Sequence, residues 1–341
     1  MSDQTRLASP EEARGIRAKP IVTLLLFAAL AGGLRAQSSL FYLELQAVGG
    51  YSTASRSFEL FSLTPEEAMQ KPSIGFDFVK RIAGKKRDIG VLAVEARLAY
   101  SQEGAHKLEP QLYNAFFRLK AGFADIWIGH SRPALGISYT LDPHAILLPI
   151  PVMLGFGYDR DWGAGLQHDF SWGSVAASLT TGSGMPLYFR SNFLAAARVS
   201  YGVLARDNYS LGFSLAGGNV LETMGYTLLE EDPLAWRSAS LDASFNWRDF
   251  ESRAEVLYGR REGEDMALVF WRMGWNILEE GRLKAEVQPA LLRKAGDWEY
   301  ILGSGLTYLF NADLAGRLMI LYDARQNTAR FVVQLYYYKG L

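Results

Sequence analysis

Hydrophobic and polar residues alternate with a period of two along nearly all of the chain from about residue 37. Ala239, Leu241, Ala243, Phe245 and Trp247 interleave with Ser238, Ser240, Asp242, Ser244 and Asn246, and Leu92, Val94, Ala96 and Leu98 interleave with Glu95 and Arg97. Such a period puts successive side chains on opposite faces of an extended strand, so each segment has one apolar face and one polar face. The pattern predicts sixteen strands, near 38–52, 73–82, 89–102, 111–121, 124–131, 157–170, 174–183, 191–204, 209–218, 236–248, 251–261, 265–278, 282–293, 298–310, 315–325 and 329–341. In the final strand Phe331, Val333, Leu335 and Tyr337 share one face, and Arg330, Gln334, Tyr336 and Tyr338 the other.

The connections sort into two kinds. Short links rich in turn residues fall near 83–88, 122–123, 171–173, 205–208, 249–250, 279–281 and 311–314. Mostly longer ones fall between them, and 132–156 is the longest. Aromatic residues gather at both ends of the strands. Phe123, Phe170, Trp172, Tyr209, Trp247, Phe310 and Tyr337 lie toward the short links, and Tyr51, Tyr100, Tyr113, Trp162, Trp236, Trp271, Tyr300, Tyr322 and Phe331 toward the long ones. Aromatic rings are most stable at the headgroup depth of a bilayer, so two such rings match interfacial girdles. The expected fold is all-β, a transmembrane antiparallel up-and-down β-barrel of about sixteen strands with a long third loop.

Composition narrows the picture further. Mean hydropathy is −0.01 and no later segment approaches the run of about 20 apolar residues that a spanning helix needs. Residues 21–31 (IVTLLLFAALA) form a short apolar run behind Arg14, Arg17 and Lys19, so residues 1–36 read as a secretory signal peptide and 37–341 as the barrel. Cysteine is absent, which removes disulfides and thiolate metal sites. A net charge of −1 gives no argument for a nucleic-acid partner. His106, His130, His144 and His168 show no ligand spacing, and no cofactor or metal is expected. Asp159 and Asp161 flanking Arg160 read as a charge cluster at the rim, and Ser171 near His168 lacks a recognisable hydrolase pattern, so no enzyme is expected.

A barrel of about sixteen strands is too wide for its own side chains to fill and encloses an aqueous channel. The charges on the polar faces then decide which solutes pass. The candidate pore-lining residues are Glu95, Arg97, Arg118, Lys120, Arg198, Asp242, Arg253, Glu255, Arg272 and Arg317. Spacing of two residues suggests that Glu95 partly neutralises Arg97, and Glu255 Arg253. Arg118, Lys120, Arg198, Arg272 and Arg317 have no acid at that spacing, and Asp77 and Asp242 are the clearest unpaired acids, so a weak anion preference is expected. What narrows the channel is expected to be the loop 132–156. It carries Asp142, His144, Leu148, Pro149 and Pro151, and its apolar run 146–153 would be stable only against an inner wall.

The final strand resembles the carboxyl-terminal signal by which outer-membrane β-barrels are recognised for insertion. Residues 114–132 (NAFFRLKAGFADIWIGHSR), 158–165 (YDRDWGAG) and the hairpin 166–184 resemble the strand, turn, strand, long loop and RD-x-G strand order of bacterial outer-membrane porins. The resemblance is particularly to the porin O/P-like group associated with phosphate uptake. It implies an outer-membrane location in a Gram-negative-type bacterium, a homotrimer surrounded by outer-membrane lipid, and passive diffusion of small hydrophilic solutes or anions. Two alternatives stay open: a barrel dedicated to one substrate or sheathing a partner protein, and a secreted soluble all-β binding protein.

Overall fold

The structure, a computed structural model, describes residues 38–60, 71–85, 87–102, 107–142, 146–294, 296–324 and 326–341. The expected signal peptide, His106 and His144 lie outside the described residues. The strands are β1 (Ser38–Ser52), β2 (Ser73–Ala83), β3 (Asp88–Tyr100), β4 (Leu108–Lys120), β5 (Asp125–Ser131) and β6 (Asp161–Phe170). Next come β7 (Gly173–Thr180), β8 (Phe193–Tyr201), β9 (Tyr209–Val220), β10 (Leu234–Trp247) and β11 (Phe250–Arg261). The last five are β12 (Glu264–Asn276), β13 (Leu283–Lys294), β14 (Glu299–Leu309), β15 (Leu314–Asp323) and β16 (Thr328–Gly340).

Each strand pairs antiparallel with the next, and β1 also pairs with β16, with Tyr42 opposite Gly340 and Ser52 opposite Arg330. The sheet is therefore a closed barrel of sixteen strands. Closure lets neighbouring strands pair all round the barrel and removes the edge that an open sheet would expose. The links are built as the turn residues suggest. Glu262 and Gly263, both at positive φ (51° and 85°), join β11 to β12 in a two-residue hairpin whose twist matches the strands.

The two faces separate as the alternation predicts. Along β10, Leu241 is 63% exposed on the outside, while Ser240, Asp242 and Ser244 are buried inside. Leu215, Val256, Leu302, Ile320 and Val333 are further large apolar side chains turned outward and exposed. Mid-strand outward positions carry no Asp, Glu, Lys or Arg among the described residues, and outward charges such as Lys80, Arg237, Arg260 and Lys339 stand near strand ends. An apolar belt exposed around a closed barrel is the surface of a protein solvated by hydrocarbon. No helix among the described residues is long and apolar enough to cross a membrane.

Two aromatic assignments change. Tyr113 and Trp236, expected in the outer girdle, are both buried. Trp236 lies on the inward parity of β10, where its indole N–H donates to the Met266 sulfur at 3.0 Å. A bulge in β4 explains Tyr113: Glu95 pairs with Asn114 but Ala96 pairs with Leu112, so Tyr113 is an extra residue and is turned toward the interior.

Candidate functional site

The described parts of the loop 132–156, residues 132–142 and 146–156, lie in the interior, and their contacts follow the polar and apolar positions of the inner wall. On entering, it donates backbone N–H groups to the wall: Ala134 to Ser178 Oγ at 3.0 Å, Gly136 to Ser214 Oγ at 3.0 Å and Ile137 to Glu255 Oε2 at 3.1 Å. A short 3-10 turn, Ile137–Tyr139, follows. Burial raises the Tyr139 hydroxyl above the usual tyrosine range, so it stays protonated and donates to Gln167 at 2.7 Å. Asp142 then pairs with Arg132 and accepts from the Tyr113 hydroxyl at 3.2 Å.

Beyond Asp142 the loop reaches the far wall. Leu147 and Leu148 pack with Val48, Met319, Leu321 and Val332 of β1, β15 and β16. Gly303 makes this approach possible, because a Cβ there would stand 2.7 Å from the Leu148 side chain. Arg272 donates to the carbonyls of Leu148 (2.8 Å) and Pro149 (3.2 Å), and Gln288 to that of Pro149 (2.8 Å). Pro149 and Pro151 are buried, and Pro151–Leu154 forms a second 3-10 turn. Leu135 and Phe156 complete the packing against Leu194, Val220, Leu257, Leu268 and Phe270 of the opposite wall. The loop is thus held by apolar packing at both sides and by hydrogen bonds to buried groups between them.

All ten candidate pore-lining residues lie on inward-facing positions of their strands, and most of their pairings differ from those suggested by spacing. Arg97 does approach Glu95 (3.7 Å) and lies nearer to Glu44 (3.1 Å). Arg198 and Asp242, expected to be unpaired, form a buried two-pronged ion pair across β8, β9 and β10. Arg253 turns to Glu251 at 3.9 Å and leaves Glu255 to the loop. Arg272 is occupied by loop carbonyls and Gln288, and Arg317 donates to Gln334 at 2.7 Å. Asp77 accepts from the Tyr338 hydroxyl at 2.8 Å. Arg118 and Lys120 remain on β4 with no ion pair among the described residues.

Arg160 and Asp161 are also not at a solvated rim. Arg160 is 1% exposed, covers the Tyr113 ring at 4.2 Å, and donates to Asn114 (2.8 Å) and Asp159 (2.6 Å). Asp161 accepts N–H groups from Trp162, Gly182 and Gly184 at 2.6–3.1 Å and so fixes the start of β6 to the following loop. His168 stacks edge-on against Phe170, with ring centroids 4.4 Å apart. A second inward element had no signal in the alternation. The small hairpin of Thr223–Met224 and Thr227–Leu228 sends Tyr226 across the mouth, where its hydroxyl donates to the Leu112 carbonyl of β4 at 2.9 Å.

A closed barrel of this strand number, with an apolar exterior and a long loop folded into a polar interior, has the fold of the outer-membrane porins. Solved structures bear this out. An anion-selective porin from Comamonas acidovorans is similar with a TM-score of 0.61 and 13% identity, over 89% of this chain and 99% of that one. OmpF of Salmonella typhi, solved in complex with daunomycin, gives 0.64 and 11% over 88% and 97%. A loop L8 deletion mutant of OmpT, an outer membrane protein of Vibrio cholerae, gives 0.63 and 11% over 89% and 99%. No protein-family model matches the chain, and no curated protein matches it.

Proposed function

We propose that this protein is an outer-membrane porin, a water-filled channel for passive diffusion of small hydrophilic solutes, with no enzymatic activity. The observation that carries the reading is the opposition of the two walls: hydrocarbon-compatible outside, charged and hydroxyl-rich inside, with a loop docked across the interior to narrow it. Anion preference would be weak, because most inner cations are held by acids or by the loop. Arg118 and Lys120 supply what preference there is. The resemblance of residues 110–185 to the phosphate-associated group makes inorganic phosphate the first solute to test. Export by the segment 1–36 and assembly as a trimer belong to the same proposal; OmpT of Vibrio cholerae has been solved in a trimer form.

Reconstitution in a planar bilayer tests the reading. Stepwise conductance is expected, with a reversal potential in a salt gradient displaced slightly toward anions. Absence of any conductance from folded, heat-modifiable protein would overturn the channel, and a cation-selective potential would overturn the preference. The inward hairpin with Tyr226 favours a second reading, a barrel dedicated to one solute. In that case conductance would be small, and one solute would block it at concentrations where others do not.

A further inference from the structure

The barrel wall has a seam where the third loop leaves it. Pro133 cannot donate to a strand ladder, so β5 ends at Ser131, and it pairs with β4 only from Ala115 to Lys120. Residues 108–114 of β4 therefore have β3 beside them and no strand on their other side among the described residues. Pro110 falls in this stretch, and proline in a sheet is found at edges and bulges. An edge of this kind inside a closed wall is a row of backbone groups that other parts of the chain must cover.

The bulge in β4 decides what covers it. It turns the extra residue Tyr113 inward, where Arg160 lies over the ring at 4.2 Å and Asp142 of the third loop accepts from the hydroxyl at 3.2 Å. One residue earlier, the Leu112 carbonyl accepts from the Tyr226 hydroxyl at 2.9 Å. Tyr226 belongs to the connection between β9 and β10, the fifth of the long links. Its hairpin pairs Thr223 with Leu228 and Met224 with Thr227, and turns on Gly225, whose φ of 56° suits the first position of a two-residue turn. The base of the link is fixed near β9 and β11: Arg261 pairs with Glu222 at 3.0 Å, and the Tyr158 hydroxyl donates to the Leu221 carbonyl. With both ends anchored, the link is a strap from β9 to β4, and its far end lies on the same bulge that holds the third loop.

We propose that the fifth loop seals the seam opened by the third, and that Tyr226, by holding this strap across the mouth, sets the size limit for solutes entering from the long-loop side. While the hydroxyl bond holds, the strap cannot swing out of the mouth, so the channel has a second filter above the third loop. The size limit rests on the channel reading given above; the seal does not.

The test uses the full chain with Thr227→Cys carrying a nitroxide, reconstituted in liposomes, and conductance in planar bilayers with polyethylene glycols of graded size added to one side. Tyr226→Phe keeps the ring and loses the hydroxyl, Tyr226→Ala loses both, and each is checked for heat-modifiable migration. Loss of one neutral hydrogen bond shifts an equilibrium about 2- to 12-fold, so Tyr226→Phe should raise the mobile fraction of the nitroxide by that factor and Tyr226→Ala by more. Both variants should admit larger polymers from the long-loop side, with the limit from the short-turn side unchanged because the third loop sets it. An unchanged nitroxide spectrum in both variants would overturn the seal. A mobile hairpin with an unchanged polymer limit would overturn the role of Tyr226 in size selection, as would an equal shift from both sides. Release of the nitroxide in a barrel that shows no conductance supports the seal and removes the channel reading, and the size limit with it.

Discussion

The docking of the loop on Glu255 can be measured as a free energy. Ser138 is buried next to Ile137, and the chain has no cysteine of its own, so Ser138→Cys is a nearly isosteric and unique thiol. In that background Glu255→Leu removes the acceptor of the Ile137 N–H and leaves the donor buried. An unsatisfied buried donor costs about 1–3 kcal/mol, and each 1.4 kcal/mol is a tenfold change in an equilibrium. The Arg198–Asp242 pair beside it stays intact, so the perturbation is confined to the loop. Labelling by a small thiol reagent in proteoliposomes should therefore accelerate about 5- to 150-fold, because modification tracks the population in which the segment has opened. Glu255→Gln keeps an oxygen acceptor and should label nearly as slowly as the parent. Ser214→Ala, which removes a neutral acceptor from Gly136, should give an intermediate rate. If Ser138→Cys labels as fast as a cysteine at the exposed Thr140, or if Glu255→Leu changes nothing, the loop is not held on this wall.

Other perturbations probe separate parts of the account. Arg198→Ala leaves Asp242 buried without its partner and should cost about 3–5 kcal/mol in urea unfolding, much of which the double variant with Asp242→Ala should recover. Leu241→Arg, mid-strand on the outer face, should cost about 2–4 kcal/mol in bilayers, whereas a water-facing position would tolerate it. Gly303→Val should push Leu148 off the far wall and raise single-channel conductance and its noise. Arg118→Glu together with Lys120→Glu should move the reversal potential toward cations, and no movement would show that these residues do not face the permeation path.

The fold was legible in the sequence because barrel strands report themselves locally. Residues two apart decide the face, as Ser240, Leu241 and Asp242 show, and no distant information is needed. The direction of the loop was legible for a similar reason, since the run 146–153 is too apolar to remain in water. Pairings across strands were not. Arg198 and Asp242 are 44 positions apart, and Ile137 and Glu255 are 118 apart, so spacing within one strand finds Glu95 beside Arg97 but not these partners. Tyr113 was misplaced because a single extra residue in β4 shifts the face of a side chain, and nothing in the local alternation marks it. The inward hairpin with Tyr226 is too short to show a period, and its contact with Leu112 depends on closure of the whole barrel.

Which solvent meets which wall is measured directly by a quenching scan along β10. A small fluorophore on single cysteines at positions 239 to 245 should be quenched by lipid-borne nitroxide at Ala239, Leu241, Ala243 and Phe245, and spared at Ser240, Asp242 and Ser244. Alternation with a period of two, in that phase, is the expected result. Uniform quenching, the opposite phase, or no access of the lipid quencher to any position would contradict it.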